Sequence, residues 1–499
     1  MLKLRTRQVA AAALIGALAL AAGCGNRVPH EQVAAVGNGY GPVDAQSDNA
    51  AGAPVAPGAV PGADAGAGVA PGVAVPGAGP TAAPGSSSGT GDTPAQPGSP
   101  TAPRPGAGQN PAQPGGAAGG GSKPCTTPLK PIVLGQTLAT SGLVGASISG
   151  LRTGLAVWAK EVNARGGVQC HPIQLIQLDD ASDPARVASN WNTLVKDRGA
   201  VAVVGAGVPI AIAALRTAAE RDKVPVVGGD VVAGDWTQSP YLFPPGAAPL
   251  TANDGALVQA ARNAQGAPKT GLFYCVEASI CSAIKNGFQR STELAKAALG
   301  PIQAVSLTQP DFTSECQTMK SAGVNTLFLG LDGSAIIRAV RSCASLNYFP
   351  TIATGAVGVS AAVAADPGVQ RNSMYLGNGV VPFMTTDTPG IRAFHDAFAR
   401  FAPSAKEEQQ ALLGWTAGKL FEAALAKVSD QARAGDVSTA RILEGLWKLK
   451  NEKLDGLSPG ATFAKGSTAK ALECYYPIKL DTKGFSAPAG SKVECFGKG

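Results

Sequence analysis

Histidine is nearly absent from this chain of 499 residues: only His30, His171 and His395 occur, and aromatic residues make up 5%. There is no Cys-x-x-Cys pair, and the three histidines are far apart, so no metal-ligand spacing is present and no metal or cofactor is expected. HExxH and Walker patterns are missing, which speaks against metalloprotease and P-loop chemistry; the chain is not expected to be an enzyme. No basic run with interleaved aromatics occurs, and the net charge of +7 is spread out, so nucleic acid is not an expected partner. The longest uncharged apolar stretch of the main body, residues 200–215, is broken by Gly205, Gly207 and Pro209, unlike a membrane span of about 20 apolar residues. No internal repeat is visible.

The N-terminal end is a positive start (Lys3, Arg5, Arg7) followed by an apolar run from Val9 to Ala22 that ends in small residues. That order is the pattern of an export signal. Leu20-Ala21-Ala22-Gly23-Cys24 resembles the bacterial lipobox, with Ala21 standing where a larger residue is usual. We therefore expect residues 1–23 to be a lipoprotein signal peptide, Cys24 to carry the lipid, and the protein to be extracytoplasmic and anchored to the cell membrane. Residues 24–124 are rich in Ala, Gly and Pro and almost lack large apolar residues. Such a segment cannot bury enough apolar surface to offset its ordering entropy, so it is expected to be a disordered tether.

From Cys125 onward Ile, Leu, Val and Phe recur to the end. A stretch this long exceeds a single core and fits two lobes. Setting Cys24 aside leaves eight cysteines, an even number suited to an oxidising compartment. Sequence alone does not fix their connectivity, and pairing of neighbours is the economical arrangement: Cys125–Cys170, Cys275–Cys281, Cys316–Cys343 and Cys474–Cys495. The alternation of elements is strand then helix. Residues 131–138 form an apolar strand, and Ile148, Leu151, Leu155, Trp158 and Val162 make one stripe of the helix that follows. Strands are expected at 173–178, 200–205, 224–228, 270–275, 302–307, 326–331 and near Thr351. Asp183-Pro184 supplies an N-cap and first-turn proline for a helix to Arg198. Two runs of βα units with a break between them predict an α/β fold of two doubly wound parallel-sheet lobes joined by a hinge.

Residues 161–168 (EVNARGGV), followed by 178–184 (LDDASDP), resemble the first-lobe signature of type I periplasmic binding proteins, the leucine/isoleucine/valine- and amide-binding receptors of ABC importers. Asp311-Phe312-Thr313 and Lys320-Ser321-Ala322-Gly323-Val324 are similar to that family's second lobe, and Gly414-Trp415-Thr416-Ala417 to a late first-lobe helix. The resemblance implies capture of a small polar ligand between the lobes and delivery to an ABC permease; a membrane-tethered sensor is the alternative. It also implies three crossings, near residues 246, 354 and 460, dividing residues 125–499 into lobe 1 (about 128–246 and 355–460) and lobe 2 (about 247–354 and 461–499).

Ligand contacts are expected at strand ends facing the cleft. The candidates are Ser141, Gly207, Val208, Asp230 and Trp236 in the first lobe, and Tyr274, Glu277, Asp332 and Thr354 in the second. Gly207 and Val208 would present backbone N–H groups at a helix start, favourable to an anion. Asp230, Glu277 or Asp332 could hold a cation, and Trp236 or Tyr274 could stack on the ligand. Amino-acid receptors of the family place a serine or threonine where this chain has Val208-Pro209, a small residue and a threonine near Val231 and Val232, and an acid near Thr354-Gly355. Without them a zwitterion's charges would be left unpaired, so an unmodified branched-chain amino acid is not the expected ligand. Alanine at Asp230 or Tyr274 is expected to weaken binding and leave the unliganded melting temperature nearly unchanged.

Overall fold

A computed structural model describes Cys125, residues 127–355, Gly358, residues 360–470 and residues 472–497. The expected signal segment, Cys24 and the tether lie outside the described residues.

Two sheets carry the fold. The first contains β1 (Ile132–Leu138), β2 (Ile173–Asp179), β3 (Ala202–Ala206), β4 (Val226–Gly229) and β5 (Leu242–Phe243), all parallel in the order β2-β1-β3-β4-β5. The second begins with β6 (Lys269–Cys275), β7 (Ala298–Val305), β8 (Thr326–Gly330), β9 (Thr351–Thr354) and β10 (Met374–Asn378), parallel in the order β7-β6-β8-β9-β10. The two orders are the same doubly wound order, so the lobes repeat in topology although no repeat shows in the sequence. β11 (Cys474–Asp481) then adds antiparallel to β10, and β12 (Gly484–Ser486) and β13 (Glu494–Cys495) pair with β11.

The central strands β3 and β8 are buried along their whole length, as parallel strands covered by helices on both faces must be. The helices Gly150–Ala164 and Gln409–Ala426 pack together on the first sheet. Trp158, Trp415, Leu420 and Phe421 are buried between them and the strands. Asp183 caps the Pro184–Trp191 helix by accepting the Ala185 N–H at 2.7 Å. The expected continuation to Arg198 is a wider π-helical turn over Asn192–Asp197.

The four disulfides join the expected neighbours: Cys125–Cys170, Cys275–Cys281, Cys316–Cys343 and Cys474–Cys495. The longest loop, closed by Cys125–Cys170, spans 45 residues and ties the segment before β1 to the turn before β2.

The chain crosses between the sheets three times, and the crossings run side by side. The first, after β5, passes through Gly246. The second was expected near residue 354, but β10 belongs to the second sheet and the chain leaves it only after Asn378. Residues 360–378 therefore lie with the second sheet, because β10 pairs on one edge with β9 and on the other with β11. The third crossing leads from Leu457 to β11. Ala247 N–H donates to Gly379 O at 3.2 Å, Val381 N–H to Leu457 O at 2.9 Å, and the Ser458 hydroxyl to Pro245 O.

Candidate functional site

In a doubly wound sheet the crevice opens at the carboxyl ends of the strands, beside the point where strand order reverses. Both sheets present those ends to one cavity of about 940 Å³, counted to its open mouth. From the first lobe come Val144 after β1, Pro209 and Ile210 after β3, and Asp230, Val231 and Val232 after β4. From the second come Cys275, Leu307, Phe328 to Asp332, Thr354 and Asn378, with Ile280 and Ile284 from the Ser279–Leu294 helix. The crossings close one side through residues 245–249, Gly379 and Val380, and the first turns of the Pro249–Arg262 helix add Ala252 and Asn253. The lobes also touch directly: Gly333 N–H donates to Ser147 Oγ at 3.1 Å in a buried contact.

The wall is mainly apolar. Its polar side chains are Asp230, Asn253, Asp332, Thr354 and Asn378, and no lysine or arginine is among the lining residues. Asp230 is buried, and its carboxylate accepts the N–H groups of Val208 (2.7 Å), Val232 (3.3 Å) and Trp236 Nε1 (3.2 Å). Burial pushes its pKa up to about 6, although these three donors pull the other way. Asp332 caps the Gly333–Ser345 helix, accepting from Ser334 N–H at 2.9 Å and Ala335 N–H at 3.3 Å. Burial raises its pKa against those bonds and the nearby Arg338 charge. Thr354 Oγ1 donates to Leu329 O at 2.8 Å. Asn378 differs from all of these. It is wholly buried, and neither its carbonyl oxygen nor its amide nitrogen has a hydrogen-bond partner.

Of the nine candidates from the sequence, Asp230, Asp332 and Thr354 line this cavity, and the other six are not among the residues that line it. The Ser141 hydroxyl donates to Asp179 at 2.6 Å, binding the loop after β1 to the end of β2. Gly207 bridges to Leu138, and its N–H donates to Thr137 O at 3.1 Å. The Val208 N–H and Trp236 Nε1 are both committed to Asp230, and the Trp236 ring is fully buried. Tyr274 carries Lys285 Nζ 5.8 Å from its ring centre. Glu277 accepts from Ser306 Oγ and Leu307 N–H, each at 2.7 Å, and so braces the loop after β7. Cys275, Glu277 and Cys281 are close enough together to suggest a metal cluster, but the two sulfurs are bonded to each other.

The expectation that Asp230→Ala would leave the unliganded protein's stability unmoved fails on this geometry, because Asp230 is a structural hub rather than a solvated cleft residue. The contributions that sequence reasoning missed are the apolar wall, the residues 245–249 and Asn378. The one signal for Asn378 was its place at the end of the apolar run Tyr375-Leu376-Gly377, just before Gly379.

Two topologically matched α/β lobes, three adjacent crossings and a cavity at the strand ends define a two-lobe solute-binding fold. The chain belongs to the periplasmic binding protein family, whose model matches residues 131–485. This family binds solutes and is not enzymatic, and its setting is extracytoplasmic. None of the curated proteins matches the chain in sequence. Among solved structures, a leucine-binding protein from Thermotoga maritima has a TM-score of 0.62 at 15% identity, covering 73% of this chain and 99% of that one. A fatty acid ABC transporter substrate-binding protein from Thermomonospora curvata has a TM-score of 0.60 at 17% identity, covering 74% and 93%. An ABC transporter solute-binding protein from R. palustris, in complex with benzoate, has a TM-score of 0.59 at 15% identity, covering 73% and 98%. At these identities the likeness is one of fold. Among the described residues no helix is long and apolar enough to cross a membrane.

Proposed function

We infer that this protein is a lipid-anchored receptor that captures a solute in the cavity between its lobes and delivers it to an ABC permease. The observation that carries this reading is the cavity itself, walled by both sheets and closed by the crossings. A solute there touches both lobes at once, so its binding energy can favour the arrangement in which they meet. Neighbours in the fold named as ABC transporter binding proteins support the delivery step. The apolar wall turns the expectation of a small polar ligand toward a more apolar one, in keeping with the fatty acid and benzoate named for two of those neighbours.

A thermal-shift screen across amino acids, amides, polyamines, sugars, fatty acids and aromatic acids tests the capture step. A true ligand at 100 times its dissociation constant stabilises the fold by about 2.7 kcal/mol. If no class, charged or uncharged, raises the melting temperature, the solute-capture reading falls. Anchoring is tested separately. Cys24→Ala in the full chain is expected to move the protein from the membrane fraction to the medium, since acyl chains contribute about 0.8 kcal/mol per buried CH₂. Retention of the variant on membranes would place the anchor elsewhere.

A further inference from the structure

Gly355 and Asn253 meet on the cavity wall. Gly355 follows β9, and Asn253 reaches it from near the start of the Pro249–Arg262 helix. A Cβ at Gly355 would stand 2.5 Å from Asn253 Oδ1, so the amide fills the room that a side chain at 355 would need. The backbone does not call for the glycine, because Gly355 is not in the left-handed region. What the glycine provides is space for that amide. Asn253 itself is partly exposed and makes no hydrogen bond with the described residues. The other polar side chains of the wall are all buried. Asp230, Asp332 and Thr354 are committed within the fold, and Asn378, though unpartnered, has no exposed surface to offer.

The chemistry of one free amide narrows the ligand. Its face presents an N–H donor beside a carbonyl acceptor, and a hydroxyl can use both, donating to Oδ1 and accepting from Nδ2. An ether or ketone would leave Oδ1 unpaired, whereas an amine or a primary amide brings further N–H groups to a wall that is otherwise apolar. An anion would meet two acids and no lysine or arginine. A cation would find both acids already turned to N–H donors of their own loops. Resting on the reading of this cavity as the solute site, we propose that Asn253 selects the solute, that Gly355 makes room for its amide, and that the solute is an uncharged, mainly apolar alcohol whose hydroxyl pairs with that amide.

The test uses matched probes on the mature full-length protein, by thermal shift and calorimetric titration at pH 7.5. Benzyl alcohol is set against benzylamine, benzoate and benzamide, and hexanol against hexylamine, hexanoate and hexanamide. Each alcohol is expected to bind at least tenfold more tightly than its counterparts. In Asn253→Ala the alcohol affinity should fall about ten- to a hundredfold, as for one or two lost hydrogen bonds. Gly355→Ala should cause a similar loss, because its new methyl displaces the end of a flexible side chain. Neither change should lower the unliganded melting temperature by much, since Asn253 bonds to nothing in the fold. The double variant should bind no worse than Asn253→Ala alone, because both changes remove the same contact. Wild-type alcohol affinity in Asn253→Ala would overturn the assignment, and so would a Gly355→Ala effect that persists in full beside it. Asn253→Asp places a carboxylate on the same spot and should turn the preference from benzyl alcohol to benzylamine; an unchanged preference would show that residue 253 does not select. A carboxylate, amine or amide that beats its matched alcohol on the wild type overturns the ligand class and leaves the solute-capture reading intact. Failure of both alcohols ends this inference; only a wider screen with no ligand of any class ends both.

Discussion

Gly154→Ala is expected to destabilise the first lobe severely, at or beyond the upper end of the roughly 1–3 kcal/mol typical of an overpacked core. Gly154 lies on the Gly150–Ala164 helix where that helix crosses Gln409–Ala426. A Cβ at Gly154 would stand 1.8 Å from the carbonyl oxygen of Ala411, and one at Gly414 on the facing helix would stand 2.2 Å from Leu151 O. In both directions the obstacle is backbone rather than the tip of a flexible side chain. A rotamer change cannot relieve it, so the helices must separate. Separation would open the interface in which Trp158, Trp415, Leu420 and Phe421 are buried. Gly287→Ala is the matched control. Its helix, Ser279–Leu294, leaves open space around that position, so alanine should be neutral or stabilise by up to about 1 kcal/mol through helix propensity. Chemical denaturation of the two variants checks the contrast, and a wild-type midpoint for Gly154→Ala would mean that the helices do not meet there.

Elements with a strong apolar signature were readable from the chain. β1, β3, β6 and β8 are short apolar runs bounded by Gly, Pro or Asp, and each lies within a residue or two of its expected place. Asp183-Pro184 announced its helix because capping chemistry is local. The features that were not readable depend on distant pairing. β10 is a five-residue run with a glycine in it, and only its ladder with β9 and β11 makes it part of the second sheet. Misplacing the second crossing removed Asn378 from consideration as a second-lobe strand end. The site residues were sought among polar groups after strands, and that rule selects loop braces as readily as ligand contacts. Ser141 and Glu277 are such braces, each spending its oxygen atoms on neighbouring loops. The apolar wall left no mark in the sequence, because its valines, leucines and isoleucines look the same as core until the two sheets are set face to face.

Asp230→Ala should lower the stability of the unliganded protein by a few kcal/mol and weaken binding of any solute in the cavity. The mutation leaves the Val208 N–H and Trp236 Nε1–H buried without their acceptor, at about 1–3 kcal/mol for each unsatisfied group. It also frees the Val231 turn. Val231 sits at φ +44°, an unusual conformation for a β-branched residue, and the bond from Val232 N–H to Asp230 helps hold it there. Val231 and Val232 are cavity wall, so relaxation of this turn changes the surface that a solute meets. The pH dependence distinguishes two opposing effects. Burial raises the folded pKa of Asp230 to about 6 from an ordinary value of 3.8. A group shifted upward on folding contributes stability that is fully present below its unfolded pKa and is lost as pH rises through the folded one. The stability gap between wild type and Asp230→Ala should therefore be wider at pH 4 than at pH 7, narrowing across about pH 4–6. Urea titrations of both proteins at the two pH values measure that gap directly. A gap that widens toward pH 7 would mean that the three N–H donors outweigh burial, and that Asp230 holds this wall of the cavity as a carboxylate.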